Sequence, residues 1–357
     1  PSPHFAFVAR NFPISRKLLF SIFTFSLLLV PANESLANSV IKVGSKCAKS
    51  GNVITQAKVK YICIKKDSKL TWVRFSSRLA AAEAKAAAEA PKITGLTIGQ
   101  LLWSEDFKGA KNSKIDAKNW TARNCHRVPS SLGGGACFGA ESVYYAPSNI
   151  SLDGSDAGNA VISTYRIKGT LPSDSGPCLS NSCSFVSGRF DTHGKVAFKY
   201  GYIEARIKMP IGSGNHPAFW MLGENINSVG WPRSGEMDIT EIHSNNPYLT
   251  TAATHYSTID APNLCCTNHQ YNVGQLATGA DVSSDFHLYG LAWMPNSISY
   301  YYDGTLVYKT TKQTLSGVWS FNEKFFIILN NAVNSEFSGT WDNLQSSEML
   351  IDWVRSY

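Results

Sequence analysis

The chain is short of charge. Asp, Glu, Lys and Arg make up 17% of its 357 residues, below the roughly 25% of an average soluble domain. A hydrophobic share of 43% and an aromatic share of 12% accompany that shortage, which excludes intrinsic disorder of the chain as a whole. No apolar run reaches the roughly 20 residues that a bilayer-spanning helix needs. No C-x-x-C pair occurs among the eight cysteines, so zinc is a poor reading of them. Acidic residues are almost missing from the start: residues 1–97 hold 4 against 15 basic ones, whereas residues 98–357 hold 22 against 18. The net charge of +7 is therefore a basic head on a mildly acidic body. That split argues against nucleic-acid binding by the body and leaves the head free to meet an anionic surface.

The length fits two or three domains, or one large β domain with appendages. Arg16 and Lys17 precede thirteen uncharged residues, Leu18 to Val30, followed by Pro31 and the small-residue stretch Ser35-Leu36-Ala37. This is the layout of a secretory signal peptide over residues 1–37, with an uncleaved anchor as the alternative. Export makes an even number of cysteines read as disulfides. Proximity suggests Cys47 with Cys63, Cys125 with Cys137 and Cys178 with Cys183, while the adjacent Cys265 and Cys266 either bridge each other or stay free. Residues 38–76 form a small basic Cys/Trp module, in which Val59, Tyr61 and Cys63 alternate with Lys60, Ile62 and Ile64 and suggest a hairpin. It resembles the short basic modules that precede some exported bacterial enzymes, and its two readings are a foothold on an anionic cell wall and a solvated spacer. The run LAAAEAKAAAEAPK over 79–92 reads as a semi-rigid helical linker within 77–95. The main domain is then 96–357.

In that domain the period becomes two. Ile203, Ala205, Ile207 and Met209 alternate with Tyr202, Glu204, Arg206 and Lys208, the pattern of a strand with one buried face. The same pattern recurs over His287 to Met294, Ile298 to Tyr302, Leu306 to Thr310, Phe325 to Val333 and Met349 to Tyr357. Asp303-Gly304 stands between two of these runs as a type I′ hairpin turn. With no long amphipathic helix across residues 98–357, an antiparallel β-sandwich is expected.

The stretch from His216 to Ser244 carries the chemistry. Glu236, Asp238 and Glu241 lie within six residues, among the apolar Met237, Ile239 and Ile242. Three acids on one strand repel if buried together, so they need either a wet cleft or a shared proton. A solvated strand face is the plain alternative. Retaining glycoside hydrolysis uses such a set, with one carboxylate as nucleophile and another as proton donor. Trp220, Trp231 and Phe219 flank the acids and offer flat faces on which sugar rings pack, although each also suits a core. Strict alternation would send Glu241 to the face opposite Glu236. A β-bulge at Ile239-Thr240 is therefore expected, so that all three acids share one side.

The run Trp231-Pro232-Arg233-Ser234-Gly235-Glu236-Met237-Asp238-Ile239-Thr240-Glu241 resembles the catalytic region of glycoside hydrolase family 16, and within it the laminarinase-like endo-β-1,3-glucanases. The likeness extends from Trp103-Ser104-Glu105-Asp106-Phe107 through Ser187-Gly188-Arg189 and Glu204-Ala205-Arg206 to Ile351-Asp352-Trp353-Val354-Arg355. The resemblance implies an all-β fold, a concanavalin-type β-jelly-roll sandwich with a cleft across its concave sheet. It implies Glu236 as nucleophile, Glu241 as acid/base and Asp238 as their helper, with Trp220, Trp231, His255, Arg189 and Tyr145 as sugar contacts. It also implies no cofactor for catalysis and one structural calcium, to which Asp352 and Asp106 correspond. His216 stands where laminarinases often have Trp, and Arg233 where a small residue or Cys is common. The activity implied is secreted, endo-acting hydrolysis of β-1,3-glucan, with mixed β-1,3/1,4 linkages as a variant and a monomer acting on a polysaccharide. An agar-type galactan and a non-catalytic glucan-binding role are the alternatives.

Overall fold

The computed structural model describes residues 42, 45–47, 53–56, 59–66, 69–74, 93–125, 142–156, 158–178, 182–262, 268–333 and 338–357. The signal segment, the helical run 79–92, Cys137, Cys265 and Cys266 lie outside the described residues. The chain divides into two units, residues 1–83 and 84–357.

In the first unit, β1 (Val53–Gln56), β2 (Val59–Lys66) and β3 (Lys69–Arg74) form an antiparallel sheet in that order. The expected hairpin is thus extended by a strand. Cys63 of β2 is fully buried and bonded to Cys47, whose neighbour Lys46 bridges Thr71 of β3. A cross-link closing a loop of this size contributes about 3 kcal/mol, a large term for so small a sheet.

In the second unit β4 (Trp103–Glu105), β5 (Thr121–Arg123), β6 (Val143–Tyr145), β7 (Ile150–Leu152), β8 (Ala160–Arg166), β9 (Phe185–Ser187) and β10 (Arg189–Asp191) come first. Longer strands follow: β11 (Gly201–Lys208), β12 (Asn215–Gly223), β13 (Glu236–Glu241), β14 (Leu249–Ser257) and β15 (His269–Ala277). The last are β16 (His287–Met294), β17 (Ser297–Tyr302), β18 (Thr305–Thr311), β19 (Phe325–Val333) and β20 (Ser346–Ser356). One sheet runs β15-β14-β13-β12-β19-β10-β5. The other runs β18-β17-β16-β11-β20-β8-β9-β6, with β4 beside β20 and β7 beside β8. Asp303 and Gly304 both have positive φ, 45° and 77°, as the type I′ turn between β17 and β18 requires. Cys178 is bonded to Cys183, and Cys125 is also disulfide-bonded.

Alternation places the core between the sheets. Ile203, Ala205, Ile207 and Met209 of the larger sheet are buried against Phe219, Met221, Met237, Ile239 and Leu329 of the smaller one. On β12 and β19 the intervening residues Ala218, Trp220, Leu222, Phe326 and Ile328 form a second apolar cluster, on the outer face of the seven-stranded sheet. The outward positions of β11 depart from the one-sided pattern, since Tyr202 and Glu204 are 4% and 2% exposed. Ile93 and Tyr357 bury Tyr202, with Leu96, Ile98 and Leu101 packed alongside. Burial pushes the Glu204 carboxyl up to about 7, against the hydrogen bond that it accepts from Tyr202 and the nearby charge of Arg355.

Candidate active site

The segment before β13 is set by glycine. A helical turn, Ile226–Val229, ends at Gly230; Ser234 N–H then bonds to the Gly230 carbonyl and Gly235 N–H to the Pro232 carbonyl. Gly235 has φ +77°, and a Cβ there would lie 3.0 Å from both the Phe325 ring and Ser320. Only glycine enters the strand this way without strain. The result delivers Glu236 to the start of β13, directly beneath Trp231.

The strand then breaks its alternation where expected. Trp220 of β12 pairs with Asp238 and Phe219 pairs with Thr240, so Ile239 is the extra residue. On the other side Asp238 pairs with Ala253 and Glu241 with Thr251, three residues against two. Met237, Ile239 and Ile242 enter the core, Thr240 is buried with its hydroxyl on Thr250, and Glu236, Asp238 and Glu241 are left on one face. This is a β-bulge used to aim a side chain.

Each carboxylate has its own partner. Trp231 donates its indole N–H to Glu236 Oε2 at 2.6 Å. His255 Nε2 lies 3.0 Å from Asp238 Oδ2, and His216 Nε2 lies 3.0 Å from Glu241 Oε1. Burial, then the charge of Asp238, pushes Glu236 well above the usual carboxylate range. Asp238 is raised by burial and by the charge of Glu241. Burial would also raise Glu241, but the hydrogen bond and charge of His216, with His255 and His243 behind it, hold it down to about 2. Burial and mutual repulsion thus favour the protonated form in the Glu236–Asp238 pair, and the His216 contact favours the ionised form in Glu241. The three titrate as a set, and the proton's place depends on what stands against them.

The expected sugar contacts divide. Trp231 and His255 sit at the carboxylates, and Trp220 is the direct cross-strand neighbour of Asp238. Trp220 donates to Asn330 Oδ1 at 2.7 Å, and the Arg189 guanidinium carbon lies 4.9 Å from its ring centre. Tyr145 is 1% exposed, packed with Val143, Phe185, Val333 and Leu344. Its hydroxyl accepts from Asn330 Nδ2 at 3.2 Å, so it holds the residue that holds Trp220. Arg189 is likewise buried, 2% exposed, against the Trp220 ring. Arg233 is turned to Asp260 and Ser320.

Sequence reasoning passed over an aromatic wall. His269 and Tyr271 of β15 stack with His255 at centroid distances of 5.0 and 5.6 Å, and Trp231 lies 4.5 Å from His269. Burial and the neighbouring His255 bring His269 down to about 4, so it is neutral at pH 7. Tyr271 is 58% exposed, an open ring at the end of the row. The alternation of His269 and Tyr271 along β15 was the available signal.

Two arrangements bear on metals. Ligand atoms of Glu236, Asp238 and His255 lie within 4.8 Å of one another, but the indole and imidazole bonds above already engage both carboxylates. The calcium expectation does not fit the side chains assigned to it. Asp352 Oδ2 lies 2.6 Å from Arg206 Nη1, and Asp106 Oδ1 lies 3.6 Å from Arg355 Nη2, so each charge is met by a guanidinium from a neighbouring strand of the same sheet.

The β-sandwich thus presents three bulge-aligned carboxylates on one face beside stacked aromatic rings, the residue types that carboxylate-based glycoside hydrolysis uses. The family model for glycosyl hydrolases family 16 matches residues 151–355, and the chain belongs to that family. It is 28% identical to glucan endo-1,3-beta-glucosidase A1 of Niallia circulans over 280 residues, which cover 75% of this chain and 38% of that protein. It is 36% identical to glucan endo-1,3-beta-glucosidase of Cryptopygus antarcticus over 167 residues, 43% of this chain and 57% of that one. The chain thus spans less than two thirds of either relative. The laminarinase catalytic domain from Thermotoga maritima MSB8 superimposes with a TM-score of 0.59 at 30% identity, covering 73% of this chain and 98% of that domain.

Proposed function

We propose that the chain is an endo-acting hydrolase of β-1,3-glucan that retains anomeric configuration and works as a monomer. The observation that carries this is the bulge at Ile239, which puts Glu241 on the face of Glu236. The relatives named above supply the linkage. In the first step an oxygen of Glu236 bonds to the anomeric carbon while Glu241 gives a proton to the glycosidic oxygen, which leaves with the bonding electrons. In the second step Glu241 takes a proton from water, the water oxygen bonds to the anomeric carbon, and Glu236 is released. Two displacements at one carbon give retention. A bound sugar dries Glu241 and raises it toward protonation, while the Trp231 N–H supports the charge on Glu236.

Incubation with laminarin, lichenan, agarose and xyloglucan tests this. Short oligosaccharides from laminarin, with the β-anomer first, are expected. Preferential cleavage of agarose would replace the substrate, binding without cleavage would make the protein a glucan-binding one, and an α-product at the earliest times would remove the mechanism.

We infer also that the protein is exported and that residues 38–76 hold it at an anionic cell wall. The Cys47–Cys63 bond supports an oxidising compartment, and the basic charge of the head supports contact with an anionic surface. Deleting residues 38–92 is expected to leave rates on soluble oligosaccharides unchanged and to weaken adhesion to isolated walls, an effect that salt reproduces in the intact protein. A large loss on soluble substrate assigns the head to turnover instead.

A further inference from the structure

We propose that His216 is a positioning residue for the acid/base: its ring N–H holds one oxygen of Glu241 so that the other oxygen faces the leaving group. This rests on the reading of Glu241 as acid/base.

The placement follows from the strand. His216, Ala218 and Trp220 alternate along β12 on the outer face of the seven-stranded sheet, and Ala218 is the direct partner of Glu241. His216 is therefore the diagonal neighbour of Glu241, within reach of a long side chain. Its Nε2 lies 3.0 Å from Oε1, with the imidazole 13% and the carboxyl side chain 25% exposed. Other groups nearby do not compete for this contact. Asp238 is met by His255, and His255 turns its other nitrogen to His269 at 2.8 Å. His243 stands edge-on to His216 with centroids 5.4 Å apart, and burial, then His216, lowers its pKa.

The contact gains strength as the reaction proceeds. When Glu241 gives its proton from Oε2 to the glycosidic oxygen, the carbon–oxygen bond breaks toward that oxygen and Glu236 bonds to the anomeric carbon. Negative charge then grows over both oxygens of Glu241. The N–H that faced a neutral carboxyl in the bound substrate then faces a carboxylate, and the bond strengthens. An interaction stronger in the transition state than in the bound substrate lowers the barrier without tightening binding. Where laminarinases often carry Trp, an imidazole gives this chain a shorter donor aimed at the carboxylate.

The test is a split in kinetics. His216→Leu is expected to lower kcat on laminarin about 10- to 100-fold, the cost of a lost hydrogen bond to a charged group, with KM held within about twofold. On a dinitrophenyl β-laminaribioside, whose leaving group needs no proton, kcat/KM stays near wild type. His216→Gln, which keeps an N–H at similar reach, recovers most of the loss. His216→Asn, whose amide falls short of Oε1, behaves as Leu does in a polar side chain and serves if the Leu variant does not fold. Equal losses on both substrates, or a laminarin kcat unchanged in the Leu and Asn variants, overturn the proposal. Glu241→Ala run in parallel separates the layers: normal laminarin turnover there removes the acid/base reading itself, whereas its loss beside an unaffected His216 variant removes only the role of His216.

Discussion

Glu236→Gln is expected to lower laminarin turnover by roughly 10⁴-fold or more, as loss of a nucleophile does, while the protein melts no lower than wild type. The two halves of this result have one cause. The site needs a charge at residue 236 at the moment of attack, but the folded protein bears a cost for that charge, since burial and Asp238 push the carboxyl up. Gln removes the charge and keeps the bonds: its carbonyl accepts from Trp231, as Glu236 Oε2 does now, and its amide donates toward Asp238. A carboxyl whose folded value lies above its unfolded one contributes stability below the unfolded value and loses it as pH rises. The melting temperature of the Gln variant should therefore gain on wild type as pH increases from 5 to 8, read by calorimetry at both values. Turnover near wild type sinks the nucleophile assignment. A variant that is inactive and also melts well below wild type at pH 8 makes Glu236 a structural residue.

Much of this arrangement could be read from spacing alone, and the reason is the period of two. Ile203, Ala205, Ile207 and Met209 fall in the core because alternation over eight residues leaves no other choice of face. The bulge at Ile239 was legible for the same reason, since an odd interval between two residues that must share a face requires one extra residue. Three-residue strands such as β5, β9 and β10 are too short to show any period, and their pairing depends on partners far away in the chain. The covering of Tyr202 by Ile93 and its neighbours is likewise tertiary. Glu204 looked like a solvated position because the alternation of β11 puts it on the outward side. Arg189 and Tyr145 were read as sugar contacts by likeness. Their burial comes with contacts to Trp220 and Asn330, which lie on strands distant in the chain. The two aspartates expected at calcium show the same limit, because Arg206 and Arg355 reach them from β11 and from β20. His216 was visible as an oddity at its position, but its bond to Glu241 needed the register of β12 against β13.

The counterpart at Glu241 separates the two chemical steps. Glu241→Ala is expected to slow laminarin hydrolysis by about 10²- to 10⁴-fold, the usual contribution of a positioned acid. A dinitrophenyl β-laminaribioside needs no proton on its leaving oxygen, so Glu236 still attacks it at nearly the wild-type rate. The glycosyl-enzyme then waits, because the base that activates water is gone. Stopped-flow absorbance should show a burst of dinitrophenolate equal to the enzyme present, followed by a slow steady state. Azide restores turnover: it is a small anion needing no base, and it enters the space that the carboxylate occupied beside His216. That imidazole, no longer held to a carboxylate, offers its N–H to the incoming anion. Attack on the face opposite Glu236 makes the product a β-glycosyl azide, identified by its proton coupling. An α-azide means that no intermediate formed on Glu236, and laminarin turnover at the wild-type rate means that the proton comes from elsewhere. The bulge at Ile239 ties the two mutants together, because only an irregular strand lets residues 236 and 241 act on opposite ends of one glycosidic bond from a single face.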